Sequence, residues 1–211
     1  MKGKLIVIEG TENSGKETQA NLLVERLNAA GIKSCKMRFP MYDTPTGEII
    51  HDHVLNKNDE PYFEDIENPK AVSLYYAADR CNNISKITDL LDEGVNVILD
   101  RYVESNIAYQ ASRFDNISDK INMLLWIEQL EFNLLELPRP DKVIFMYLPY
   151  QYRFLIGDNT NSERYKNIEE VYHLMAERYG FEIINLVKNE QLKSIEEINE
   201  EILDSVMKFI N

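Results

Sequence analysis

Apolar residues along this chain come in two spacings that take turns. Leu5-Ile6-Val7-Ile8 is a short continuous run of aliphatic and β-branched residues, the pattern of a strand buried on both faces. Behind it Ala20, Leu22, Leu23, Leu27 and Ala30 recur at helical spacing until Gly31 ends the helix. Strand signals return at Lys33 to Phe39, Val95 to Asp100, Lys142 to Leu148 and Glu182 to Val187. Between them, Pro69 to Glu93 reads as one long helix closed by Gly94, and Ser118 to Leu137 as another closed by Pro138. Ile195, Ile198, Ile202, Val206 and Ile210 give the tail an amphipathic stripe that predicts packing on the sheet. Strands alternating with helices need crossover connections, so the pattern predicts an α/β fold with a five-stranded parallel sheet flanked by helices. There are no internal repeats, and 211 residues fit one domain, 1-211.

The first strand runs into Gly10-Thr11-Glu12-Asn13-Ser14-Gly15-Lys16-Glu17-Thr18. This is the phosphate-binding spacing G-x-x-x-x-G-K, in which loop amides and the positive end of a helix dipole converge on a polyphosphate. Lys16 adds a compact charge for the β- and γ-phosphates. The next position ordinarily holds a hydroxyl that reaches magnesium. Here Glu17 stands there, and Thr18 comes one residue late. Three readings of Glu17 stay open: a direct magnesium ligand, a ligand through water, or a carboxylate that points outward from the first helical turn.

Charge narrows the partners. The net charge of −13 argues against a nucleic-acid-binding surface, so an anionic substrate needs a local basic pocket. No apolar run approaches a membrane span, and Met1-Lys2-Gly3 leads straight toward a strand rather than a signal peptide. Cys35 and Cys81 lack metal-ligand spacing and read as reduced, buried thiols of a cytoplasmic protein. His51 and His53, one residue apart, diverge on a helix and do not read as a metal pair.

A second chemical constellation follows the third strand, where Asp100-Arg101-Tyr102 sits at the carboxyl edge at which open α/β sheets gather ligands. An Asp there orients water around a metal, and an Arg clamps phosphate oxygens through its planar fork. A structural ion pair is the plainer alternative. Phe39-Pro40 ends the second strand at the same edge, and Tyr76 and Arg80 share one face of the long helix.

Together these residues resemble the thymidylate kinases. Gly10-Thr11-Glu12 is similar to that family's loop opening, whose acidic residue contacts the acceptor sugar. Phe39-Pro40 with Tyr42 resembles its substrate-binding turn, and Tyr76 with Arg80 its pair that stacks on thymine and holds O4. Asp100-Arg101-Tyr102 and Ser105 to Gln110 resemble its Asp-Arg-aromatic signature and the tract after it. There the residue matching Asn106 reads the base, and the one matching Tyr109 crowds the sugar's 2′ position. Leu137-Pro138-Arg139-Pro140-Asp141 resembles the lead into its fourth strand.

The resemblance implies a three-layer P-loop kinase fold with a short lid, ATP and dTMP as substrates, Mg2+ as cofactor, and a homodimer formed by helices around Ala71 to Leu91 and Met123 to Leu135. It implies ATP on Gly10, Thr11, Asn13, Ser14, Gly15, Lys16, Glu17 and Thr18, and dTMP on Glu12, Phe39, Pro40, Tyr42, Tyr76, Arg80, Arg101, Asn106, Tyr109 and Gln110. Catalysis falls to Lys16, Arg101, Glu12 and a lid arginine, with metal at Asp100 and Glu17. The alternatives are a kinase for another nucleoside monophosphate or a deoxynucleoside, and a nucleotide-binding relative with impaired catalysis.

Two departures from the family stand out. Glu17 replaces the hydroxyl, and Asn13 leaves the loop without an arginine. Basic residues must then come from the weakly patterned lid segment, about 150-167. It offers Arg153 first, Arg164 second, and Lys166, and it lacks the family's acidic pair within 159–163.

Overall fold

The computed structural model describes residues 2–55, 68–158 and 162–210. Five parallel strands form its sheet: β1 (Leu5–Glu9), β2 (Ser34–Arg38), β3 (Asn96–Asp100), β4 (Lys142–Tyr147) and β5 (Glu182–Asn185), in the order β2-β3-β1-β4-β5. Leu5 to Ile8 pair with Val97 to Asp100 on one side, and Ile6 to Glu9 with Lys142 to Phe145 on the other. β1 is therefore central, which explains why it is apolar at every turn of the pleat. Leu5 and Val7 face one hydrophobic cluster while Ile6 and Ile8 face a second. The first cluster packs under α3 (Pro69–Asp92), α4 (Val103–Ala111), α5 (Ile117–Glu128) and α6 (Ser162–Tyr179). The second packs under α1 (Lys16–Ala29) and α7 (Ile195–Ile210), and a short helix, α2 (Pro45–Ile49), follows β2. Ile198, Ile202 and Val206 are buried there, as the tail stripe predicts.

This layering positions the site. The chain leaves β1 toward α1 on one face and leaves neighbouring β3 toward α4 on the opposite face. The crevice between their carboxyl ends is the topological switch point, where such sheets bind ligands.

Three elements depart from the sequence reading, as do the two thiols: Cys35 is half-buried and Cys81 exposed. The helix predicted over Ser118 to Leu137 is regular only to Glu128 and then widens into a π-helical turn, Gln129–Leu134. That turn points Glu131 into the interior, where it is fully buried. The strand predicted over Glu182 to Val187 stops at Asn185, because Val187–Lys188 turns back on Gln191–Leu192 as a two-residue hairpin. Asn189 and Glu190 both have positive φ (51° and 61°), the geometry that a tight hairpin demands. The lid segment is not a weakly ordered loop throughout: Tyr150–Ile156 is a 3-10 helix and Ser162 already begins α6. Asn159, Thr160 and Asn161, part of the stretch without the acidic pair, lie outside the described residues.

Candidate active site

The phosphate loop has the backbone that its glycines predict. A Cβ on Gly10 would stand 2.8 Å from the Met146 carbonyl oxygen, so only glycine fits beside β4. Gly15 takes φ +84° to start α1, and Asn13 is also left-handed at φ +58°. Lys16 is 4% exposed. Its Nζ donates to the Thr11 carbonyl at 2.6 Å and to Ser14 Oγ at 3.3 Å, curling back over the loop. Burial, and next the charge of Arg101, pull Lys16 down to about 7, against the opposing charges of Asp100, Glu9 and Glu12.

That value carries a sign. Between pH 7 and 10.5 the unfolded chain holds a proton at this lysine that the fold does not, so stability rises with pH across that window. Phosphate favours the charged form. ATP binding at pH 8–9 should then take up close to one proton, and almost none below pH 6. Calorimetry in buffers of different ionisation enthalpy reads this directly, and an uptake independent of pH would refute it.

Glu17 points outward from the first turn of α1. Its carboxylate is largely exposed and accepts from Lys36 Nζ at 3.1 Å, with Arg38 Nη1 at 3.9 Å. The Lys36 hydrogen bond leads in holding its carboxyl below the usual range. It is turned toward β2, which favours the outward reading over its assignment as a metal ligand. Changing Glu17→Thr should leave turnover within about twofold, since an exposed pair of this kind contributes under ~1 kcal/mol. A tenfold loss in a steady-state assay would restore the ligand role.

Opposite the loop, Asp100 ends β3 and Arg101 follows with φ +71°, a left-handed conformation that non-glycine residues adopt at a cost. The turn is fixed by a residue that sequence reading passed over. Glu9, the last residue of β1, is fully buried. Its carboxylate accepts from the Tyr102 amide (2.9 Å), the Ser105 amide (3.1 Å), Ser105 Oγ (2.6 Å) and the Tyr172 hydroxyl (2.8 Å). It thereby satisfies exposed amides of α4's first turn and locks that turn to the start of the phosphate loop. Arg101 Nη1 lies within hydrogen-bond reach of Ser105 Oγ (3.2 Å) and the Gly10 carbonyl (3.4 Å), and its guanidinium lies 5.6 Å from the Tyr109 ring centroid. Asp100 is 4% exposed, and its Oδ1 has no hydrogen-bond partner among the described residues.

A cavity of about 960 Å3 opens beside Arg101. Glu12, Phe39, Pro40, Tyr42, Tyr76, Arg80, Asn106, Tyr109 and Gln110 all line it, so these sequence candidates converge. Tyr102 lines it too, although its hydroxyl turns away to the Pro138 carbonyl at 3.1 Å. The 41–47 turn that forms one wall is organised by Asp79, buried between Tyr76 and Arg80. It accepts from the Met41 amide at 2.9 Å and Thr46 Oγ1 at 2.8 Å. Gly47 is obligatory there, because an added Cβ would sit 1.9 Å from the Met41 carbonyl oxygen.

Arg80 is 2% exposed and forks onto Glu131, with Nη2 at 2.6 Å from Oε1 and Nε on Oε2. Asn106 donates to the same carboxylate at 2.8 Å, which leaves its own buried Oδ1 without a partner among the described residues. Glu131 thus orients two residues of the cavity at once. Nothing local in the sequence pairs it with Arg80, 51 positions earlier.

The arginine sought in the lid is also here. Arg153 is 2% exposed, its Nη1 donates to Thr11 Oγ1 at 2.9 Å and its Nη2 to the Glu12 carbonyl at 3.2 Å. Arg164 reaches Glu12 Oε1 at 3.5 Å from the other side. Lys166 is not among the cavity-lining residues.

Comparison with known proteins agrees with this geometry. A family model described as thymidylate kinase matches residues 8–202. The thymidylate kinase of Schizosaccharomyces pombe is 30% identical over 212 residues, covering 97% of this chain and 92% of that one. That of Plasmodium falciparum is 30% identical over 98% of this chain and 91% of its own. The human enzyme is 34% identical over 147 residues, 70% of this chain and 62% of its own length. A solved thymidylate kinase structure from Candida albicans superposes with a TM-score of 0.75 at 24% identity, covering 98% of this chain and 92% of that one, and supports the fold.

Proposed function

This chain belongs to the thymidylate kinase family, and from that premise we propose that it transfers the terminal phosphoryl group of ATP to dTMP, giving ADP and dTDP on the way to dTTP. The observation that carries the reading is the convergence of a phosphate loop and a nucleoside-sized cavity on one arginine, Arg101.

Phosphoryl transfer asks little covalent chemistry of a protein and much positioning and charge neutralisation. In this reading the loop amides and Lys16 hold the donor phosphates, and Arg153 adds charge where Asn13 has none. Arg101 spans the acceptor phosphate and the phosphoryl group in transit. Glu12 binds the acceptor sugar, beside the Tyr109 hydroxyl that fills the space a 2′-hydroxyl would need. Tyr76 stacks on the base, Phe39, Pro40 and Tyr42 wall the opposite side, and Gln110 closes the inner end.

The unpartnered Asn106 Oδ1 is an acceptor suited to a ring N–H, and Arg80 offers donors to a carbonyl such as thymine O4. Cytosine would present its N4 donor to that guanidinium, and an unpaired polar group there costs about 1–3 kcal/mol.

Magnesium fits the donor set. The buried, unpartnered Asp100 Oδ1 is a hard oxygen ligand, and no cluster of three acidic, His or Cys ligands exists among the described residues. This matches an ion held by one carboxylate, substrate phosphates and water, which when bound would neutralise phosphate charge.

Residues 1–211 serve as one domain in this reading. No described helix is long and apolar enough to cross a membrane, and we place the protein in the cytoplasm. A homodimer is supported by Leu74 on α3 and by Ile117, Ile121 and Leu125 on α5, apolar residues 38–50% exposed and spaced by one turn along α5. Sedimentation equilibrium should give twice the chain mass, falling to one when Leu125 is changed to Glu.

The activity itself is tested by mixing the protein with ATP, magnesium and each nucleoside monophosphate. ADP should appear with dTMP above all others. No ADP above background would overturn the proposal.

A further inference from the structure

We infer that Tyr165, on the first turn of α6, is a positioning residue for phosphoryl transfer, its ring holding Arg153 flat against the phosphate loop. The inference rests on the reading of that loop as the donor site. The Arg153 guanidinium carbon lies 3.4 Å from the Tyr165 ring centroid, the closest cation–ring approach among the described residues. Both side chains are buried, at 2% and 7% exposure.

A guanidinium has donors only around its edge, and its two faces are free of them. Tyr165 occupies a face, so it constrains the plane of the group without consuming a donor. The edge then divides between two sides. Thr11 Oγ1 and the Glu12 carbonyl take Nη1 and Nη2 on the loop side, while Asp158 takes Nε at 3.2 Å and shares Nη2 on the other.

Asp158 is a full negative charge competing with two neutral oxygens. Asp158 already holds one edge of Arg153, and the bonds to Thr11 and Glu12 persist beside it while the guanidinium plane stays directed at the loop. The ring restrains that plane against tilting and leaves rotation within it free. Its own anchorage is independent of Arg153. Tyr165 stands on an 18-residue helix that is tied to the sheet by Tyr172 on Glu9, and to the segment carrying Arg153 by Glu169, which accepts from the Tyr150 amide at 2.9 Å. Arg153, by contrast, sits on a seven-residue 3-10 helix.

Ring and hydroxyl do separable things. The Tyr165 hydroxyl neighbours Glu12, a residue of the acceptor side. Loss of the hydroxyl should therefore register in the KM for dTMP, and loss of the ring in kcat.

The test is steady-state kinetics with ATP, magnesium and dTMP on Tyr165→Phe, Tyr165→Trp, Tyr165→Leu, Arg153→Ala and the double change of Arg153→Ala with Tyr165→Leu. Phe and Trp, which keep a ring face, should hold kcat within about twofold. Leu should lower kcat by about tenfold. The double variant should be no slower than Arg153→Ala alone, because a positioning residue has no effect once its target is gone. In parallel, the Arg153 side-chain proton signals should lie upfield in the parent and in Tyr165→Phe, by ring-current shielding, and not in Tyr165→Leu. Losses that multiply in the double variant, or a Leu variant as fast as the parent while Arg153→Ala is slow, would overturn the inference alone. An Arg153→Ala enzyme as fast as the parent would instead remove Arg153 from the donor site, and this inference with it.

Discussion

Replacing Glu131 with alanine should destabilise the protein by about 3–5 kcal/mol, because it strands a charged arginine in the interior. The pair is among the most secluded in the fold, with Arg80 2% and Glu131 0% exposed at the side chain. The surviving guanidinium would keep one weak contact, to the Tyr102 carbonyl at 3.4 Å. Urea unfolding followed by circular dichroism measures the loss, and a change below about 1 kcal/mol would show that water reaches Arg80. Changing both partners, Arg80→Met with Glu131→Leu, should recover most of the stability, since apolar groups of similar volume do not need the pairing and Asn106 keeps the Ser73 carbonyl at 3.3 Å. Activity should not return with it, because the base would have lost its donor. The two variants thereby separate what the pair does for the fold from what it does for the substrate.

Arg101→Ala should lower kcat by about 10²–10³ and raise the KM for dTMP, the scale on which loss of one preorganised donor at a developing oxyanion acts. Lysine should not rescue it, because a point charge cannot span two phosphate groups as a planar fork does. The backbone adds a second expectation of opposite sign. Arg101 sits at φ +71°, so Arg101→Gly should be as inactive as the alanine variant yet more stable than it by about 1–2 kcal/mol. Thermal melting of the two variants side by side reads the difference. Equal melting temperatures would mean that the turn carries no strain.

The sequence was most legible where chemistry and backbone geometry are local. Gly10, Gly15 and Lys16 fix one another through a spacing of a few residues, and strand β1 announces itself because it must be apolar on both faces. Tyr76, Arg80, Asn106 and Tyr109 were recognisable as cavity residues from short patterns on α3 and α4. What stayed hidden is what those residues touch behind the cavity. Glu9 carries no local signal, and its partners at the start of α4 and on α6 are 93 to 163 positions away. Glu131 faces inward only because the helix widens into a π turn, which no apolar periodicity forecasts. Glu17 was ambiguous because its neighbours Lys36 and Arg38 arrive on the next strand. Arg153 stood out only as a cation in a polar segment, and its burial against Thr11 depends on packing by α6.

The lock that Glu9 makes between β1 and the first turn of α4 has a consequence for rate. Bringing two phosphate groups into line from solution is an entropic obstacle as much as an electrostatic one, and effective molarities of about 10⁵–10⁸ M measure how much of it fixed geometry can remove. In the proposed function, the loop that would face one nucleotide and the arginine that would face the other hang from a single carboxylate in the protein interior. The separation of the two reactants is thus decided when the chain folds, before either molecule is bound.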